Sequence, residues 1–194
     1  MKKMPCLFVR VFKGKGNFEI TREVTPGCEW VLEGEGTASI KWDGTACMVK
    51  DGVLYTRYDY KKKAKDKGKM PPEGWVACQD EPDAVTGHWP GWVPVDGNPQ
   101  YKWHQPHVEA VKTMEDGTYE LCGPHFQSNP EGLETDTLIR HGAAHVLVPK
   151  RDFDGIRDFV CNDAFDHEGI VFKNGDRFCK IRKSDFGLKR KNKN

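Results

Sequence analysis

Asp-Gly or Asn-Gly recurs along this chain at Asp43-Gly44, Asp51-Gly52, Asp116-Gly117 and Asn174-Gly175, each beside short runs rich in β-branched and aromatic residues. These pairs accept the positive φ angles of tight turns, so each marks a place where one strand reverses into the next. A chain punctuated in this way is constrained to antiparallel sheet. Residues 37–58 read as a run of antiparallel strands: Ser39 to Lys41, a turn at Asp43-Gly44, Thr45 to Val49, a turn at Asp51-Gly52, then Val53 to Tyr58. Val108 to Met114 and Thr118 to Cys122 read as a hairpin around Asp116-Gly117, and Gly169 to Phe172 pairs with Arg177 to Ile181 across Asn174-Gly175. Pro5 to Phe12 reads as an opening strand; Gly14 and Gly16 lack the spacing of a phosphate-binding loop and mark only a turn. Between Asp152 and Asn162 the period changes, with Phe153, Ile156, Phe159 and Val160 at helical spacing. Residues 61–100, rich in Lys, Pro, Gly and Trp, have no period and read as a long irregular connection. The expected class is α+β, mostly antiparallel sheet with few helices. It is expected as one domain over residues 1–188, followed by a basic tail at 189–194.

Composition excludes several classes. No window approaches the roughly 18 apolar residues needed to cross a bilayer. Met-Lys-Lys at the start has no apolar stretch after it, so no secretory signal is expected. The seven cysteines form no Cys-x-x-Cys pair, which favours reduced thiols in the cytoplasm over disulfides or structural zinc. His104 and His107 have ligand-like spacing but no third ligand is grouped with them. Lys plus Arg number 30 against 29 Asp plus Glu, so affinity for a polyanion is not written in the total. It is written in the distribution, in Lys61–Lys69 and Lys189–Lys193, although either run is also what a solvated loop or tail looks like.

The chemistry-bearing candidates centre on Lys41, in Lys41-Trp-Asp-Gly44. A lysine acts as a nucleophile only when neutral, against an ordinary pKa of roughly 10.4; neighbouring cations and partial burial favour the neutral amine. Lys180 and Arg182 alternate along one strand and so share a face. Facing Lys41, they would supply that environment and hold the phosphates of a nucleotide; otherwise they are an exposed strand face. Glu168 opens a very apolar strand, where a carboxylate suits metal binding; otherwise it is a charge at the strand edge. Asp43 is a second candidate for metal binding or lysine orientation, although turn formation alone also explains it. Glu120 can accept from a ribose hydroxyl, or belong to an ordinary half-buried strand.

Taken in order, Lys41-Trp-Asp-Gly44, Tyr55-Thr-Arg-Tyr58, Glu120, His167-Glu-Gly-Ile-Val-Phe-Lys173 and Phe178-Cys-Lys-Ile-Arg-Lys183 resemble the covalent nucleotidyltransferases, the superfamily of polynucleotide ligases and mRNA-capping enzymes. The resemblance implies that Lys41 forms the lysyl-nucleotide and that Arg57 is the arginine of the next motif. It further implies that Glu120 binds ribose, that Glu168 binds the metal, with Asp43 beside it, and that Lys180 and Arg182 bind phosphate. Gly87-His-Trp-Pro-Gly-Trp-Val-Pro-Val95, Tyr101-Lys-Trp-His104, Glu120 to Leu133 and Ile139-Arg-His-Gly142 are similar to one branch, the vertebrate-type cytosolic 5′-to-3′ RNA ligases, over about residues 35 to 188. That branch implies a ligase adenylation domain, ATP with magnesium or manganese, and RNA 5′-phosphate and 3′-hydroxyl ends as partners. No membrane and no protein partner is implied.

Two departures stand out. Relatives often carry a glutamate before the motif lysine to read the adenine amino group; here it is Ile40, which leaves purine contacts to backbone groups. The chain also shows no segment expected to form an OB domain, which counts against a DNA ligase or a capping guanylyltransferase. A non-catalytic nucleic-acid binder remains the rival of a different class. His141 and His145 are candidates for stacking on the base, and Gln127-Ser-Asn-Pro-Glu-Gly-Leu133 carries no chemistry that the spacing explains.

Overall fold

The computed structural model describes residues 2–14, 17–84, 86–188 and 190. Apart from Arg190, the basic tail lies outside the described residues, as does Gly16. In chain order the strands are β1 (Phe8–Gly14), β2 (Asn17–Val24), β3 (Thr37–Lys41), β4 (Thr45–Lys50), β5 (Val53–Lys61), β6 (Val76–Ala77), β7 (His88–Pro94), β8 (Gly117–Cys122), β9 (Thr137–Arg140), β10 (His145–Val146), β11 (Gly169–Asn174) and β12 (Arg177–Arg182). The α-helices are α1 (Lys62–Asp66) and α2 (Phe153–Cys161). The fold is α+β, with antiparallel sheet dominant and few helices. Among the described residues no helix is long and apolar enough to cross a membrane.

The chain divides into two compact units. The first comprises Gly44–Gln127 and Leu133–Arg140 with the start of the chain. It holds a six-stranded sheet in the order β6-β7-β5-β4-β8-β9. One sheet face packs on Val95, Val111 and Phe126 through Cys47, Val49, Leu54, Tyr119 and Leu121. The second comprises Met4–Asp43 and Ser128–Gly132 with the chain from His141 onward. It holds a four-stranded sheet, β10-β3-β11-β12, and the β1-β2 ribbon. Its core joins Leu7, Phe8, Trp30, Ile156, Val160, Ile170, Phe172 and Ile181. Asp152 caps α2, its carboxylate accepting from the Gly155 N–H at 2.7 Å, and buried Ile156 and Val160 give the helix its inward face.

Several expected strand pairings are corrected. Asp51-Gly52 is a hairpin turn, with φ of 52° and 72°, but Asp43-Gly44 is not. β3 pairs with β10 and β11, whereas β4 pairs with β5 and β8. Gly44 is needed for a close approach instead, since a Cβ there would meet the Leu121 carbonyl oxygen at 2.3 Å. Val108–Met114 is not a strand: Val108, Val111 and Met114 recur every three residues, the 3₁₀ period, and pack on the core of the first unit. Residues 61–100 are not wholly irregular, because His88–Pro94 is an inner strand paired with all of β5 from Tyr55 to Lys61. The β11–β12 turn falls one residue later than expected, at Gly175-Asp176, since Asn174 still pairs with Arg177.

Candidate active site

The second unit builds its site on three neighbouring strands. Lys41 of β3 is paired with Gly169 of β11, and Gly169 with Arg182 of β12. Directly paired residues point to one face of an antiparallel sheet, so Lys41 and Arg182 flank a position that has no side chain. The next row on that face is His145, Ser39, Val171 and Lys180. The opposite face carries Ile40, Ile170 and Ile181, then Ala38, Phe172 and Cys179, the last five of them core residues. Period-two alternation thus sends the apolar residues inward and gathers the lysines and the arginine on the other side.

Glu168, immediately before β11, closes the cluster. Its carboxylate accepts from Lys41 Nζ and lies 3.8 Å from Arg182 Nη1, while its backbone carbonyl accepts from the Lys183 N–H at 2.9 Å. The pair is shielded, with Lys41 and Glu168 side chains 22% and 19% exposed. Burial, followed by the charges of Lys41 and Arg182, lowers the Lys180 ammonium to about 8. Arg182 is held from behind by Asp185, which accepts from Nη2 at 3.1 Å and from the Arg182 backbone N–H at 2.8 Å, and also pairs with Arg10. Asp185 was not found from the sequence; a single carboxylate in a 3₁₀ turn has no period to betray it.

Asp43 is half-buried, and its carboxyl is held above the ordinary range by burial first and by the negative charge of Glu168 second. Its backbone N–H donates to Glu131 Oε1 at 3.0 Å. Glu131, 2% exposed, also accepts from Arg190 at 2.8 and 2.9 Å and from His167 Nδ1 at 3.2 Å. Against the cost of burial, these donors bring its carboxyl down to about 2. His167 in turn meets the Trp42 ring edge-on at 5.1 Å between centroids. The other sequence candidates in this unit stand apart. The Ile40 side chain lies on the face opposite Lys41, and its backbone N–H is taken by the Ala144 carbonyl at 2.9 Å. His145 lies on the Lys41 face, at the exposed edge strand.

Two neighbouring carboxylates, Glu168 and an Asp43 whose carboxyl the charge of Glu168 helps to hold up, beside a face lined by amines, suit a hard divalent cation. Magnesium needs only one or two protein oxygens when phosphate supplies others, so Glu168 and Asp43 fit it. Among the described residues no group of three or more His, Cys, Asp and Glu is placed to hold a metal alone.

The first unit holds the two remaining candidates on one sheet face. Arg57 is paired with Trp92, Ala46 with Glu120, and Glu120 with Ile139. With Cys47 opposite Thr56, the register makes these a single row in which Ala46 separates Arg57 from Glu120. Arg57 donates through Nε to Asp59 at 2.7 Å, and its guanidinium lies 5.9 Å from the Trp92 ring centroid. Glu120 is buried and accepts from the Gly44 N–H at 3.2 Å. His104 belongs to the packing of this unit: its Nε2 is 3.1 Å from the Thr56 hydroxyl, and burial lowers its pKa to about 4, leaving it neutral.

The site is thus an amine hydrogen-bonded to a shielded carboxylate, with a second lysine and an arginine on the same strand face. No protein-family model matches the chain. It is similar to the protein named RNA ligase 1 of Mus musculus, at 27% identity covering 96% of this chain and 80% of the mouse protein. It is similar also to RNA ligase 1 of Danio rerio, at 27% identity covering 97% of this chain and 81% of the zebrafish protein. Both alignments are longer than the chain, so the relatives carry insertions relative to it.

Proposed function

We propose that this protein is an ATP-dependent RNA ligase of the covalent nucleotidyltransferase type, joining RNA 5′-phosphate and 3′-hydroxyl ends. The observation that carries the reading is Lys41 Nζ on the Glu168 carboxylate, on the strand face shared with Lys180 and Arg182. The distant similarity to proteins named RNA ligase 1 supports the choice of polynucleotide.

The neutral Lys41 amine attacks the α-phosphorus of ATP. A P–N bond forms, the bond to the pyrophosphate oxygen breaks, and the proton lost by the amine passes to solvent. The 5′-phosphate of an RNA end then attacks the lysyl-AMP phosphorus; the P–N bond breaks and Lys41 recovers its proton. A 3′-hydroxyl finally attacks the activated 5′-phosphate: the new P–O bond forms, the bond to AMP breaks, the hydroxyl proton passes to solvent, and a phosphodiester is left. Lys180 and Arg182 counter phosphate charge that grows in each transition state, and Asp185 holds the Arg182 guanidinium in place. Magnesium bound by Glu168 and Asp43 would neutralise the leaving pyrophosphate. Arg57 and Glu120 are assigned to a phosphate and a ribose hydroxyl.

The test is incubation with radiolabelled ATP or GTP and magnesium, followed by a denaturing gel. Label from ATP on the wild type, absent in Lys41→Ala and greatly reduced in Glu168→Ala, is the expected result. Label from GTP alone would reassign the protein as a guanylyltransferase, and no label with either nucleotide would leave a nucleic-acid binder. Nicked RNA, DNA and hybrid duplexes then identify the polynucleotide.

A further inference from the structure

Two sequence features stand outside the chemistry above: the segment Gln127-Ser-Asn-Pro-Glu-Gly-Leu133 and the basic residues after Leu188. One ion pair joins them. Glu131 and Arg190 form a two-pronged contact at 2.8 and 2.9 Å, and Arg190 Nη2 also donates to the Asp166 carbonyl at 2.6 Å. The carboxylate is 2% exposed and the guanidinium-bearing side chain 10% exposed, so this is not a surface pair held loosely in water. Of the basic tail, the one described residue points at a buried acid and is spent on it.

The remaining lone pairs of Glu131 go to the site. Oε1 accepts from the backbone N–H of Asp43, two residues beyond Lys41, and Oε2 accepts from His167, the residue before Glu168. A carboxylate is an acceptor only, with room for several donors; here it collects donors from three separate stretches of chain. The supporting loop is itself strained. Ser128 and Asn129 have φ of 61° and 53°, a left-handed conformation that side chains other than glycine resist and that persists only where the surroundings dictate it. Pro130, next in the chain, is buried.

We infer that Glu131 is the positioning residue of this site, fixing the strand end that carries Lys41 relative to the one that carries Glu168, and that Arg190 stabilises it there. Misplacing a reacting amine by as little as an ångström costs rate far more than binding. Only the predicted effect on rate rests on the ligase reading; the structural role does not.

The experiment compares Glu131→Ala, Glu131→Gln and Arg190→Gln in the full chain. Amide hydrogen exchange at Asp43 and over residues 166–168 is measured first. Single-turnover labelling from ATP, the ATP concentration for half-saturation and the melting temperature follow. Glu131→Ala is expected to lose protection at Asp43 and to label roughly ten- to hundredfold more slowly, the usual cost of removing a group that orients active-site ligands, with half-saturation by ATP near wild type. Glu131→Gln keeps a carbonyl for the Asp43 N–H and should restore that protection and part of the rate; Arg190→Gln should slow labelling and lower protection at Asp43, both by less than Glu131→Ala does. Wild-type exchange and rate in Glu131→Ala would overturn the inference, as would rate losses that simply track melting temperature. Should Glu131→Ala fail to fold, the isosteric Glu131→Gln decides, together with Arg190→Gln. A wild type that takes no label sinks the ligase reading instead, and the exchange comparison still judges Glu131.

Discussion

The charge of Lys180 is set by its burial and its neighbours. Burial and the facing cations bring its pKa from 10.5 to about 8. The folded value is below the unfolded one, so between those two pH values the unfolded chain holds the extra proton. The group therefore opposes folding below about pH 8, and its penalty fades as pH rises through the window. Function runs the other way, because a phosphate partner needs the proton on. ATP half-saturation in the labelling reaction is expected to worsen as pH passes about 8, and Lys180→Arg, which stays charged, should flatten that dependence; an unchanged profile would remove Lys180 from phosphate binding. Lys180 and Arg182 were legible in the sequence because a strand's two-residue repeat announces a shared face. Glu131 and Asp185 were not, because an acid in an irregular loop is recognisable only by the donors that fold around it.

At the scale of elements, the site depends on how closely β3, β11 and β12 approach in the row of Lys41 and Arg182. A Cβ at Gly169 would meet the Ile181 carbonyl oxygen at 2.1 Å and the Arg182 Cα at 2.7 Å. Gly169→Ala must part β11 from β12 at that row, at a cost of about 1–3 kcal/mol for the overpacking. The expected outcome is a lower denaturation midpoint together with slower ATP labelling, whereas Val171→Ala, one row further along the same face, should leave labelling close to wild type. Equal labelling by Gly169→Ala and wild type would mean that the row tolerates separation. The β11–β12 hairpin and α2 could be anticipated, since Asn-Gly and a clean 3.6-residue period are local signals. β7 could not: Pro90 and Pro94 argue against an inner strand. It is accommodated because β6, its outer neighbour, covers it over only two residues, at Gly91 and Trp92, and just beyond them Pro90 serves as acceptor to the Cys78 N–H at 2.8 Å. Asp43-Gly44 misled for the opposite reason, since a turn signature there serves backbone proximity to Leu121 and a change of sheet.

Over the whole molecule, charge is balanced at 30 basic against 29 acidic side chains, so any attraction for an RNA strand must come from where the charges sit. Lys61–Lys69 places six lysines and a single aspartate in nine residues. Lys63, Lys65, Lys67 and Lys69 are all exposed. The segment is braced on aromatic side chains of the first unit: Lys65 Nζ lies 5.5 Å from the Trp89 ring centroid, Trp89 packs on Trp75, and Tyr60 donates to the Lys69 carbonyl. Lysines on a braced segment lose less freedom on meeting a backbone of phosphates than lysines on a free tail. Each phosphate neutralised on a single strand adds about −0.7 to the slope of log affinity against log salt. Replacing these four lysines with glutamine should therefore reduce the steepness of that slope by up to about 3 for a 5′-phosphorylated RNA, followed by fluorescence anisotropy across a salt series. Labelling from ATP alone should remain at wild-type level, because none of the four belongs to the strand face of Lys41. A slope identical to wild type would place the RNA elsewhere on the molecule, and the lysines would then be solvated surface and nothing more.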